Sequence, residues 1–448
     1  YLCLAITLGA LYNFVLPPLS VPDEQAHFLE SYKLSSMILG SEIYDDTGKQ
    51  LIRVTDNDAM EYLHNIASIA GWYHSFNLKS EGKSEMVPSV YESTVSTNAP
   101  HAYIVPAIGI SIARVLNLSG HILLLLGRYS NLILQSVLVT IAIKLIPYGK
   151  LFFLVIGLLP ETIYLFASYS YDGLNLTLCM LIVAFFLYLY NCSKSIGIKE
   201  ILLLGILILL MMPIKIVYIV FGVLIFLLPK EKLRILKKHI GIIVLIALIG
   251  VVGYGVINYN GIVSIFGSID RLEEYEYNSP ITLGYIIGNW QLTIETYLNT
   301  ILSNTSLYIQ DALGVIVGKN RWGENLGYRV PSWIRVILYV FMLVGLEDSH
   351  KNKMPPLKRI ITVILGLLMY LLVLTSMYLA CTKIGNSTIG GVQGRYLLPI
   401  IILLPIIVKN KYFNLSVDKQ KICVVGMGAI NILFAFLTFF FYSYNYFL

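Results

Sequence analysis

The feature that most constrains this 448-residue chain is a series of apolar runs too long for a water-soluble core, clearest at 123–146, 201–212 and 360–380. A run of about 20 such residues matches the hydrocarbon thickness of a bilayer. The chain is 57% hydrophobic and 13% charged, with mean hydropathy +0.74, whereas a soluble domain carries roughly 25% charged residues. It therefore reads as an all-α polytopic membrane protein with about eleven spans. They fall at 1–16, 127–146, 151–168, 173–191, 199–212, 214–228, 239–257, 333–346, 359–381, 395–408 and 422–441. The chain opens on Tyr1 inside an apolar run. That start predicts a chain beginning within its first span, without a cleaved signal peptide. Residues 1–448 read as a single membrane domain, interrupted by polar segments at 17–127 and 258–332.

Charge orients the spans. Five short connections, 144–150, 192–200, 229–239, 347–359 and 409–421, hold 17 basic residues against 5 acidic ones. Excess lysine and arginine marks cytoplasmic loops. Segment 17–101 is the reverse, with 12 acidic and 5 basic residues, and reads as outer. The net charge of +6 is therefore a topology signal and gives no ground for nucleic-acid binding. Alternation holds only if 102–126 makes no single crossing, so this stretch reads as interfacial helices or a re-entrant pair. Cys3, Cys179, Cys192, Cys381 and Cys423 are scattered without metal-ligand spacing and read as small core residues.

This topology gathers four polar clusters at the outer interface. Pro22-Asp23-Glu24 with His27 follows the first span, and Tyr171-Asp172 ends the next outer turn. Lys215 follows Pro213, and Gln393-Gly394-Arg395-Tyr396 opens the tenth span. A carboxylate beside an apolar wall suits Asp23 for proton abstraction. Ser20 and Asp23 also have capping-box spacing, and acidic residues favour a helix N-terminus. His27 shares a helical face with Asp23. It suits orienting that carboxylate, contacting a phosphate, or sitting as an ordinary interfacial histidine.

An ammonium against hydrocarbon needs a partner or a wet cavity. A lipid phosphate would serve Lys215, as would snorkelling at a helix break. Guanidinium pairs well with phosphate oxygens, and Gly390, Gly391 and Gly394 would let backbone amides approach an anion near Arg395; a snorkelling anchor is the plainer role. Asp172 fits binding of sugar hydroxyls, assistance to a base, pairing with Lys215, or capping the following helix. Glu161 stands after Pro160 in mid-span, as a functional carboxylate or one bonded to a neighbouring helix. Asp56-Asn57-Asp58 reads as a turn rather than a metal motif. Trp290, Trp322 and Trp333 flank the second outer segment, placed for the aromatic belt or for stacking on a sugar face.

Together Pro22-Asp23-Glu24, His27-Phe28, Gly127-Arg128, Pro160, Ser168, Ser170, Asp172, Lys215, Tyr218, Gln393-Gly394-Arg395-Tyr396 and Pro399 resemble the bacterial membrane-protein family called domain of unknown function 2142, from the start of the chain to about residue 408. That family is similar to the GT-C superfamily of membrane glycosyltransferases. The resemblance implies a GT-C-like fold and an inverting transfer of a sugar from a polyprenyl-phosphate carrier. It makes Asp23 the base, with Glu24 beside it. The expected donor-phosphate contacts are Lys215, Arg395, Gln393, Tyr396 and His27, and the expected substrate contacts are Asp172 and Tyr171. Two cations already serve the phosphate, so no divalent metal or other cofactor is expected. The implied partners are the bilayer, the lipid-linked sugar and a cell-surface glycan or lipid-linked acceptor, with no nucleic acid. The implied setting is a bacterial cytoplasmic membrane with the site facing outside. Two other readings are a transporter or flippase of a lipid-linked sugar and a non-catalytic partner in glycan assembly.

Overall fold

The computed structural model describes residues 1–65, 72, 85–92, 99–192, 196–232, 248, 252, 253, 255, 281–319, 325–410 and 417–447. The chain is mostly helical. In order come α1 (Leu2–Val15), α2 (Glu24–Leu39), α3 (Val54–Asn65), α4 (Ile104–Val115), α5 (Gly120–Leu145), α6 (Lys150–Gly157), α7 (Pro160–Phe166), α8 (Tyr171–Asn191) and α9 (Ile198–Met211). After a 3-10 helix at Ile216–Leu227 come α10 (Leu283–Gly288), α11 (Trp290–Asp311), α12 (Ser332–Val344), α13 (Pro356–Cys381), α14 (Leu398–Ile401), α15 (Leu404–Ile407) and α16 (Val417–Phe447). Two small antiparallel hairpins interrupt them. β1 (Leu51–Arg53) pairs with β2 (Met86–Pro88), and β3 (Val315–Lys319) pairs with β4 (Asn325–Arg329).

Among the described residues, four helices are long and apolar enough to cross a membrane: α5, α8, α13 and Gln420–Ser443 of α16. They coincide with four expected spans, and the protein is a membrane protein that contacts the bilayer. Other expected spans are built differently. Span 151–168 is divided into α6 and α7, and span 395–408 into a 3-10 turn, α14 and α15. Span 214–228 is a 3-10 helix, and the spans at 1–16, 199–212 and 333–346 are helices of 14, 14 and 13 residues. The breaks follow chemistry. Pro160, Pro399 and Pro405 each sit at a helix start, where the missing N–H costs nothing. Carbonyls freed inside a membrane need new donors. Asn431 Nδ2 donates to the Leu158 carbonyl at 2.8 Å, Thr162 Oγ1 to Ile156 at 2.7 Å, and Asn352 Nδ2 to Ile406 at 2.9 Å. The expected span 239–257 falls almost wholly outside the described residues.

Helix α8 is the axis of the core. Every residue from Asp172 to Leu187 is buried, as expected of a helix apolar on all sides. The stretch 102–126 is a hairpin in which α4 returns against α5. It is tight enough that a Cβ on Gly109 would stand 2.5 Å from the Leu126 carbonyl oxygen. Ile104, Ile108, Ile112 and Val115 form an exposed apolar stripe along α4. The segment 258–332, read as an outer loop, contains the 22-residue α11. Its Tyr297 hydroxyl donates to Thr375 on α13 at 2.8 Å.

Candidate functional site

The turn before α2 separates two neighbouring carboxylates. Asp23 is the N-cap residue of α2 and adopts φ 62°, ψ 6°, a left-handed conformation that non-glycine residues rarely take. Its side chain makes no capping hydrogen bond. Ser20 Oγ is buried and has no hydrogen-bond partner among the described residues, so the capping box suggested by their spacing does not form. Glu24 closes the turn instead, accepting from the Val21 amide at 3.2 Å. Asp23 remains exposed at the rim of the site, near enough for its charge to act on Lys215, Tyr171 and Tyr396.

Glu24 faces inward and is fully buried against Arg128 of α5, which is 1% exposed. Arg128 Nε donates to Glu24 Oε1 at 2.7 Å and Nη2 to Oε2 at 2.6 Å. The same guanidinium donates to the carbonyls of Leu16 at 3.2 Å and Pro17 at 3.1 Å. The Tyr169 amide donates to Glu24 at 3.1 Å. This pair ties the end of α1, the Asp23 turn, α5 and the turn before α8 into one block. Glu24 thus stands beside Asp23 in sequence but points away into a structural ion pair. The Gly127-Arg128 motif was the only sign of its partner.

Across the rim, α8 presents Asp172 to two cations. Lys215 Nζ lies 2.6 Å from Oδ1 and Arg395 Nε 2.5 Å from Oδ2. All three side chains are largely buried. Asp172 is thus paired, and the capping of α8 falls to Ser170 Oγ instead. Lys215 precedes the 3-10 helix at Ile216–Leu227, and its ammonium sits 3.4 Å from the centre of the Tyr396 ring. Tyr218 donates to the Tyr396 carbonyl at 2.7 Å, holding the Arg395 turn against that helix. Gly394 is required by contact: a Cβ there would stand 2.3 Å from the Ala312 amide nitrogen. The Gly390 amide donates to Thr382 Oγ1, so it is engaged within the protein rather than offered to an anion. Gln393 is half-buried, and its carbonyl accepts from the Tyr396 amide.

His27 lies under this rim. Its Nδ1 is 2.8 Å from the Tyr103 hydroxyl and its ring meets Tyr171 edge-on at 4.6 Å. Burial holds it down to about 4, against the ordinary 6.5, so it is neutral at physiological pH. A cavity of about 210 Å³ opens beside the ion pairs, lined by Tyr171, Lys215, Tyr218, Ser376, Met377 and Tyr396. An apolar groove of about 310 Å³ runs along the same α13, lined by Ile309, Val363, Leu367, Leu397, Ile400 and Leu404 among others.

Several other candidates lie elsewhere. Glu161 accepts from the Val315 amide at 3.0 Å, bonding to β3 rather than to a helix. Asp56 and Asn57 lie in the first turn of α3, not in a turn of their own. Asp56 is paired with Arg53 at 2.8 Å and with the Tyr32 hydroxyl at 2.8 Å, and Asn57 accepts from Val90. Trp290 and Trp333 are exposed at helix starts, and Trp322 lies outside the described residues. Among the described residues, no three His, Cys, Asp or Glu side chains come together as a metal site.

The motifs at Asp23, Arg128, Asp172, Lys215 and Arg395 meet at one end of the bundle, although they span most of the sequence. Residues 6–404 match the model of a family of predicted membrane proteins. The chain belongs to the DUF2142 family. No curated protein and no solved structure matches this DUF2142 chain.

Proposed function

We propose that this chain is an inverting, GT-C-like glycosyltransferase moving a sugar from a polyprenyl-phosphate carrier to a cell-surface glycan or lipid-linked acceptor at the outer membrane face. The observation that carries this reading is an exposed, uncapped Asp23 near enough to act electrostatically on the buried Lys215, which lines a small cavity and shares Asp172 with the buried Arg395. In the reaction, the acceptor hydroxyl oxygen forms a bond to C1 of the sugar and gives its proton to Asp23. The C1–oxygen bond to phosphate breaks, and its electron pair leaves with the phosphate. Lys215 and Arg395 stabilise that growing negative charge in a site largely shielded from water. The attack and departure lie on opposite faces of C1, which inverts its configuration. The apolar groove along α13 provides hydrocarbon contact for the carrier chain.

The test is sugar transfer by purified protein, given radiolabelled polyprenyl-phosphate sugars and crude cell-wall glycan, beside Asp23→Asn and Arg395→Ala. Label should move to glycan with the wild type and not with Asp23→Asn. Unimpaired transfer by Asp23→Asn removes the base from the scheme. Absence of any donor consumption, with lipid still bound, makes lipid-sugar transport the better account, a reading favoured by the helix breaks at 158–159 and 402–403.

A further inference from the structure

We propose that Asp172 sets the charge this site accepts, holding a fixed negative charge between Lys215 and Arg395 so that the pair takes a singly charged phosphodiester and rejects more highly charged phosphates. The inference rests on the phosphate-binding reading of the site. Each Asp172 oxygen meets one cation, at 2.6 Å and 2.5 Å, so the three side chains together carry a single positive charge. A phosphodiester brings that sum to zero. A phosphate of higher charge leaves an excess negative charge in a cavity where Lys215 is the one cationic side chain of the lining. The Asp23 carboxylate pushes the same way, acting on Lys215. The neutral His27 contributes no compensating charge.

The pairing leaves donors free for a ligand. The described hydrogen bonds of Arg395 use Nε alone, and the rest of the guanidinium fork carries further N–H groups. Lys215 lines the cavity while paired, so its ammonium reaches both Asp172 and an occupant. A diester can therefore bind without breaking either ion pair. Asp172 acts here as a specificity-determining residue and takes no part in bond making.

The experiment measures binding of two probes to the full-length protein in detergent: a polyprenyl phosphate methyl ester and a polyprenyl diphosphate. Wild type should prefer the diester. Asp172→Asn should shift the ratio of affinities toward the diphosphate by roughly tenfold or more, given the strength of a charge-charge term at contact distance in a partly buried site. Lys215→Gln lowers the site charge while keeping Asp172, and should move the ratio the opposite way, which keeps the test alive if Asp172→Asn does not fold. Unchanged ratios in folded variants overturn the role of Asp172 and leave the phosphate site standing. Failure of wild type to bind either probe overturns the phosphate reading and this inference with it.

Discussion

Replacing Arg128 by methionine tests how the Asp23 turn is held. The substitution keeps the volume of the stem and removes the guanidinium. Glu24, with none of its surface exposed, then loses both charge-assisted bonds and keeps only the amides of Val21 and Tyr169. The carbonyls of Leu16 and Pro17 lose a donor in the same step. Breaking one side of a buried ion pair costs about 3–5 kcal/mol, because the remaining charge is stranded. At about 2 °C per kcal/mol for a chain of this size, the melting temperature in detergent should fall by roughly 6–10 °C. The double variant Glu24→Met with Arg128→Met removes both charges and should be more stable than Arg128→Met alone. Thermal unfolding followed by size exclusion reads four proteins: wild type, Glu24→Met, Arg128→Met and the double variant. An Arg128→Met protein that melts with wild type, or a double variant that melts at the temperature expected from adding both single losses, would refute the clamp.

Further outcomes follow from the same geometry. Asp23→Asn should fold normally, because asparagine tolerates positive φ, while transfer falls by about 10²–10⁴; equal transfer rates in the assay above would remove Asp23 from catalysis. Gly394→Ala places a Cβ against the Ala312 backbone, so it should cost about 1–3 kcal/mol and weaken binding of phosphate lipid through the adjoining Arg395; a melting curve identical to wild type would show that the turn yields freely. His27 is held neutral by burial at about 4, against 6.5 when unfolded. The unfolded chain therefore takes up this proton first as pH falls, and stability should drop between pH 6.5 and 4 by about 3 kcal/mol in total. His27→Gln should flatten that slope in melting curves collected across the same range, and an unchanged slope would place the pH dependence in other groups.

The sequence by itself determined the membrane character of the chain, because apolar length is a local property that a bilayer reads directly. Helices α5, α8, α13 and α16 follow from their runs alone. The charge asymmetry of the connections placed the polar motifs at one end, and the structure brings Asp23, Tyr171, Asp172, Lys215, Arg395 and Tyr396 together there. The apolar runs have clear landmarks in sequence, but their breaks do not. Whether an apolar run stays whole or divides, as α6 and α7 do, depends on distant donors such as Asn431 that receive the freed carbonyls. Helix α11 was illegible because its polar residues suit both an exposed loop and a helix packed on α13. The division of labour between adjacent carboxylates was also decided only in three dimensions. Periodicity makes Asp23 and Glu24 neighbours. It cannot show that the left-handed turn sends Glu24 inward to Arg128 and leaves Asp23 at the rim, since that choice depends on a partner more than a hundred residues away.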